Sequence, residues 1–360
     1  MKSAIEKHVK WDIGTAYDFF ISLWVLHEPE HLGLRGSWAA GVRSRLPAPE
    51  RELLQRATQI IWPLPWVYSL PKPKDVATAL DTLRALPSEQ RLMVLMPSVH
   101  DAIAETWHRV AARGKWNEND LQVMFDEMQH EGWKKEPPAK VRKLAAESLD
   151  LWAEHARSAD LLISAFDCFH AEFFAEEETR IRPALEASLS KARELSRTTP
   201  SWEKLLEVLS QGVRVSTDWE HKEIILVPSY WGTPLALMAD FDTDKLLFLY
   251  GARPADQSLI PGELVPDALH QALKALADPS RLRILRYLAG SPMTPTELAR
   301  RLRLRTPTVL HHLDALRLAR LILVNLDADG RRYAVRPEAV ESVFELLSQF
   351  LTAHEEPGDD

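Results

Sequence analysis

The chain has 360 residues, 46% hydrophobic and 27% charged, a balance typical of folded globular proteins and a length that accommodates two or three domains. Its single cysteine, Cys168, excludes an internal disulfide and any zinc site built from several thiolates. No run approaches the ~20 uninterrupted apolar residues of a membrane helix. The most apolar stretch, Ala16 to Leu26, carries Asp18, and Met1 to Lys7 lack the apolar centre of a signal peptide, so the sequence reads as cytoplasmic with no membrane partner.

The net charge of −8 is unevenly spread. Residues 266–336 carry 13 Lys and Arg, 12 of them Arg, against 6 Asp and Glu, a balance of +7 that leaves −15 elsewhere. An acidic body bearing a basic module suggests a separate polyanion-binding domain. Arginine suits that role because its planar fork matches phosphate and guanine edges.

Residues 1–253 predict a large, mainly helical domain. His27-Glu28-Pro29-Glu30-His31 fits the H-E-x-x-H pattern of zinc hydrolases, which needs a continuous helix to place both histidines on one face. Pro29 disfavours that helix, so the spacing loses its meaning. Residues 75–86, 117–131 and 139–196 carry apolar positions at three- and four-residue spacings and predict helices. Pro183 should kink or break the last, where Glu176/Arg180 and Glu178/Arg182 are helix-stabilising pairs. Glu176 and Glu178 read as a solvated acidic face rather than an acid/base pair. Cys168, among Phe166, Phe169, His170 and Phe173, reads as a buried structural thiol rather than half of a reactive Cys–His pair.

Ile224 to Val227 and Leu246 to Leu249 are short apolar runs bounded by Pro, Gly and Asp, which predict a small antiparallel sheet near 213–250. All 12 tryptophans lie at or before Trp231, either filling a helical core or enclosing an apolar or aromatic ligand. Pro254, Pro261, Gly262 and Pro266 then mark a linker over 254–266.

From residue 267 the elements are sharply delimited. Asp267 to Ala277 predicts a helix, and Asp278-Pro279 opens a second that runs through Leu288 and ends at Gly290. Thr294-Pro295-Thr296-Glu297 is a capping box that starts a third helix to about Leu302. Thr306-Pro307 repeats the device for a fourth helix to about Leu318. The period then shifts from 3.6 to 2. Leu321 to Leu326 is a strand, Asp327-Ala328-Asp329-Gly330 a hairpin turn, and Arg331 to Val335 the return strand. Pro337 to Leu351 follows with Leu346, Leu347, Phe350 and Leu351 as an apolar stripe, and 353–360 form an acidic tail. Helix, turn, helix and hairpin make a winged helix-turn-helix over 267–352. Its fourth helix fits the major groove of double-stranded DNA, and Arg331 and Arg332 on the wing reach phosphates or the minor groove.

The segments ALADPSRLRILRYL, TELARRLRLRTPTVLHHLDAL and DADGRRYAV closely resemble the arsenic-repressor-like (ArsR-type) winged-helix regulators, over about residues 267–350. The layout is also similar to multidomain members with a large uncharacterised N-terminal domain. The resemblance implies a homodimeric repressor that leaves DNA when an effector binds. Carried over by position, Arg305, Thr306, Thr308, Leu310, His311 and His312 lie at the start and exposed face of the recognition helix. Val309, Leu313 and Leu316 form its buried face, and Arg303 belongs to the basic cluster from Arg300 to Arg305.

Three departures matter. Leu310 stands where the family usually has a small polar residue. Ser291-Pro292-Met293-Thr294 replaces the family's paired-cysteine metal site, and residues 337–354 lack its acidic and histidine ligands. No metal and no cofactor are therefore implied, and the effector expected of the N-terminal domain is a non-metal small molecule or a protein partner. The alternative function, motivated by His27 and His31 and by the tryptophan-rich interior, is an N-terminal metal-dependent or other enzyme fused to a DNA-binding module.

Overall fold

A computed structural model describes residues 5, 8–96, 101–131, 136–215, 219–241, 244–327 and 330–352. The chain enters through a short strand, β1 (Val9–Trp11), and helix α1 (Thr15–His27). This helix holds the apolar run noted above, and Thr15 to Leu23 are buried without interruption. A helix that is apolar all round belongs in a core, and α1 packs against the shorter helices Gly36–Arg43, Leu64–Ser69 and Val76–Ala85. Asp18 is fully buried on it, accepting hydrogen bonds from Ser229 Oγ (2.7 Å) and the amides of Trp231 (2.8 Å) and Tyr230 (3.2 Å).

The predicted helix over 139–196 is three helices: α2 (Pro138–Ala153), α3 (His155–Phe169) and α4 (Ala175–Thr198). The first break is at Glu154, whose φ of −120° and ψ of 43° leave the helical region. The second junction is a π-helical turn at His170–Phe174. Pro183, expected to kink or break the run, lies inside α4 without ending it. Pro183 and Thr179, whose carbonyl loses its partner, both face solvent, while Ile181, Leu185 and Leu189 anchor the opposite face. Arg182 pairs with Glu178 (3.4 Å) as the spacing predicts, whereas Arg180 pairs with Glu177 (2.6 Å) rather than Glu176.

Helix α5 (Trp202–Ser210) leads to β2 (Val213–Val215), β3 (Glu223–Ser229), β4 (Leu237–Phe241) and β5 (Lys245–Gly251). The small sheet expected here is not simply antiparallel. Its order is β1-β3-β5-β4, with β1 and β5 parallel to β3 and only β4 antiparallel to β5. Ile225, Val227, Leu247 and Leu249 pack into the main helical core, while Ile224, Leu226, Phe248 and Tyr250 pack into a second cluster with Trp202 and Leu205. Burial on both faces explains why these strands read as continuous apolar runs.

The tryptophans mostly fill the helical core: Trp107 stacks on Trp152 at 5.2 Å, and Trp38 on Trp231 at 6.4 Å. Trp133 lies outside the described residues.

The C-terminal elements are α6 (Asp267–Leu276), α7 (Pro279–Gly290), α8 (Pro295–Leu302), α9 (Thr306–Leu318), β6 (Ile322–Asp327), β7 (Gly330–Val335) and α10 (Pro337–Thr352). Asp278 caps α7, accepting from the amides of Ser280 (2.7 Å) and Arg281 (3.1 Å), and Thr294 and Glu297 form the complete capping box of α8. Thr306 does not repeat the device. Arg305 is the N-cap of α9, and its side chain makes no capping bond. Ala328 and Asp329 of the hairpin turn, and the acidic tail, lie outside the described residues.

The module does not stand apart from the rest of the chain. Strand β2, contributed by the N-terminal part, pairs in parallel with β6, Val213 opposite Val324 and Val215 opposite Leu326. The hairpin is thus two strands of a three-stranded sheet, β2-β6-β7. Helix α6 is fastened as well: Gln271 Nε2 donates to the Gly33 carbonyl (2.8 Å), and Asp267 accepts from Ser258 Oγ (3.1 Å) and Leu259 N–H (2.8 Å).

Candidate nucleic-acid interface

Helix α9 has one buried stripe. Val309, Leu313 and Leu316 are fully buried among Ile284, Leu298 and Leu302, as their spacing of three and four residues demands. The side chains between them face outward: Thr308 and His311 are exposed, and Thr306, Leu310 and His312 are half-buried. His311 and His312, with rings 6.0 Å apart, diverge as adjacent helical positions must. The Nδ1 of His312 is buried, and burial lowers the imidazole below its usual value against the opposing pull of the Asp278 carboxylate. His312 is therefore neutral at pH 7, a wedge under the helix rather than a charge on its face.

The turn before α9 is basic and exposed. Arg300, Arg301, Arg303 and Arg305 all face solvent. Arg303 closes α8 in the left-handed region, with φ 58°, and Arg301 lies over the Tyr287 ring at 5.7 Å. On the hairpin, Arg331 is exposed. Arg332 is tilted inward, with Nη1 3.6 Å from Glu297 of the α8 capping box. The structure thus brings the helix-face residues and the Arg303–Arg305 turn onto contiguous elements, and sets one wing arginine outward and one against α8.

The other motifs do not assemble chemistry. Helix α1 ends at His27, and Pro29–Leu32 is a separate 3-10 turn, so the two histidines share no helical face. His27 Nδ1 donates to the Leu23 carbonyl (2.7 Å), whereas His31 stacks on Trp24 and lies 3.6 Å from Glu28. Cys168 is only half-buried, and its thiol is raised by burial and by the Glu50 and Glu172 carboxylates, the opposite of an activated nucleophile. Among the described residues no helix is long and apolar enough to cross a membrane.

Sequence reasoning missed Gln211, Arg320 and Arg336, which tie the N-terminal part to the hairpin, and Arg253, which ties it to α6. Arg336 donates through Nη1 to the carbonyls of Gln211 and Arg320, the latter at 3.0 Å, and Arg320 Nη1 donates to Gln211 Oε1 at 2.7 Å. These residues span 126 positions and form no local motif. The left-handed φ of 51° at Gln211 and 55° at Arg320, unusual for non-glycine residues, marks the place afterwards.

A capped helix–turn–helix with an apolar inner stripe, an exposed arginine turn and a following hairpin defines a DNA-binding module of helix-turn-helix type. Residues 276–325 match the helix-turn-helix domain family. The chain is 35% identical over 82 residues to the HTH-type transcriptional regulator Rv2034 of Mycobacterium tuberculosis (strain ATCC 25618 / H37Rv), covering 23% of this chain and 77% of that protein. It is also 35% identical over 83 residues to the transcriptional repressor SdpR of Bacillus subtilis (strain 168), covering 23% of this chain and 92% of that one. No solved structure matches it. The chain belongs to the helix-turn-helix transcriptional regulators, with less than a quarter of its length shared with these two relatives.

Proposed function

We propose that the protein is a homodimeric, sequence-specific DNA-binding repressor whose N-terminal part receives a non-metal effector. The observation that carries this reading is the outward face of α9, flanked by the exposed arginines of the preceding turn. Thr306, Thr308, Leu310 and His311 would meet base edges in the major groove, Leu310 against a thymine methyl, with His312 supporting them from beneath. Arg303, Arg305, Arg331 and Arg332 would hold phosphates or enter the minor groove beside the wing.

Dimerisation is supported by α10, whose one buried residue is Val343, leaving Phe344 60% and Leu351 70% exposed. With Leu273 of α6 also 40% exposed, the two helices offer an apolar face that a second copy would cover. Two copies would set recognition helices about one turn of DNA apart. Repression is supported by the similarity to SdpR, a transcriptional repressor.

Selection of bound fragments from a random duplex pool at near-physiological salt tests the reading. Recovery of a pseudo-palindrome with half-sites about one turn apart is the expected result. Binding without sequence preference, or a monomer in sedimentation at micromolar concentration, would overturn it.

A further inference from the structure

Where β5 ends, the chain passes Gly251 and places Arg253 between the N-terminal part and α6. The Arg253 side chain is 4% exposed. Its Nη2 donates to the Thr233 carbonyl (3.0 Å) and lies 3.3 Å from Asp267 Oδ2, while its Nη1 is buried with no hydrogen-bond partner among the described residues. Arg320, in the turn between α9 and β6, approaches from the other side. Its Nη1 is held by Gln211, and its Nε is likewise buried without a partner. Gly251 permits the approach, since a Cβ there would lie 3.3 Å from Arg320 Nη2.

Arg253 and Arg320 both line one small open recess of about 30 Å³, room for a single small polar group. Its walls come from the N-terminal part (Thr233, Pro234, Pro254) and from the C-terminal module (Ala268, Leu318). Arg320 is pushed down to about 10 by burial and then by the nearby Arg253 and Arg336 charges. The one carboxylate of the recess, Asp267, is occupied by Ser258, Leu259 and Arg253. Two guanidinium charges held close together are a costly arrangement, which an oxyanion entering the recess offsets through charge-assisted bonds to their planar forks.

We propose that this recess is the effector site, and that it takes a small acid whose carboxylate or phosphate group sits between Arg253 and Arg320 with its apolar remainder toward Pro234 and Leu318. This rests on the reading of the chain as a ligand-regulated DNA binder. The position gives the ligand its leverage. Arg320 joins the recognition helix to the wing, Arg253 belongs to the N-terminal part, and an anion bridging them biases how α9 and the hairpin are held. By linkage, the factor by which the anion changes DNA affinity equals the factor by which DNA changes anion affinity.

The test is calorimetric titration of the full chain at fixed ionic strength with inorganic phosphate and, separately, with malonate. One saturable site per chain is expected for at least one of them, and the one that saturates at lower concentration identifies the headgroup. R320Q should weaken binding by about tenfold or more, one lost charge-assisted contact. Because R253Q removes a buried anchor and can unfold the chain, A268L serves as the second variant. It narrows the recess, keeps every charge, and should also lower affinity about tenfold. Absence of saturable binding, or binding unchanged in both R320Q and A268L, overturns the proposal. Affinity for the selected DNA is measured in parallel with and without the saturating anion. An anion that binds as described but leaves DNA affinity unchanged overturns its role as effector, whereas loss of DNA binding in the anion-free chain would count against the regulator reading alone.

Discussion

Arginine serves two regions of this molecule in opposite surroundings. Around the α8–α9 turn, Arg300, Arg303 and Arg305 stand in solvent. At the seam, Arg253 is buried and Arg320 half-buried, and both are held by carbonyl and amide oxygens contributed from other parts of the chain. The first group is solvated and, in the proposed reading, available to a polyanion that arrives from outside. The second spends hydrogen bonds on fixing one part of the protein against another, and retains unpaired donors. Residue type therefore does not distinguish recognition from architecture; desolvation does.

The largest expected effects come from crossing the boundary between the inner and outer faces of α9. Leu313→Ala opens a cavity in the module's core and should cost about 2–5 kcal/mol in urea unfolding. Leu310→Ala, three residues away on the half-buried face, should change stability by no more than about 1 kcal/mol and act instead on which base is preferred. Equal destabilisation by the two would mean that the face assignment is wrong.

A second pair of buried groups sharpens the same point through pH. Burial raises Asp18 from 3.8 to about 6 despite its three hydrogen bonds. Its folded-state value lies above the unfolded one, so its contribution to stability is fully present below pH ~4 and is lost as pH rises to about 6. Burial lowers His27 from 6.5 to about 4, so stability grows as pH rises across that interval and is lost again on acidification. Each effect is on the order of 2–3 kcal/mol, and in the natural chain they oppose one another. Asp18→Asn should therefore steepen the gain in stability between pH 4.5 and 6.5, and His27→Gln should reverse its sign. Parallel pH profiles for both variants would show that neither group is buried as described.

On DNA, the outward residues should separate by kind. Replacing Thr308 or His311 with alanine should alter base preference by about 1–3 kcal/mol at one position of the site. Arg331→Ala should weaken binding to all sequences alike and reduce the salt slope by about one. A common response in a salt-resolved binding series would remove the recognition helix from the groove.

Legibility in the sequence followed locality. The C-terminal helices were readable because Asp278-Pro279 and Thr294-Pro295 each encode a start within four residues, and α9 announces its buried face by spacing alone. Strand β1 was not readable: three residues carry no period, and its partner β3 lies more than 200 positions away. The parallel pairing of β3 and β5 was hidden too, because an apolar run states burial but not direction. Strand β2 escaped for a further reason. Val213-Arg214-Val215 alternates, yet nothing in it points to the hairpin at 322–335. The interface divides the same way. Arg303 and Arg305 sit in a visible cluster, whereas the seam arginines acquire meaning only from where the chain returns.

The smallest effect expected concerns the two wing arginines, which alternate faces along β7. Arg332 is 3.6 Å from Glu297 and Arg331 is exposed, so Arg332→Ala should weaken DNA binding less than Arg331→Ala. Glu297→Gln isolates the cause. Glutamine can keep the capping box, accepting from Thr294, so the unfolding midpoint should stay essentially unchanged. Losing the carboxylate removes Arg332's competitor and one negative charge facing the phosphates, so DNA affinity should rise about two- to threefold at low salt, and the gain should shrink as salt screens the pair. If E297Q instead weakens binding, the hairpin depends on that ion pair for its position, and Arg332 acts as a strut of the wing.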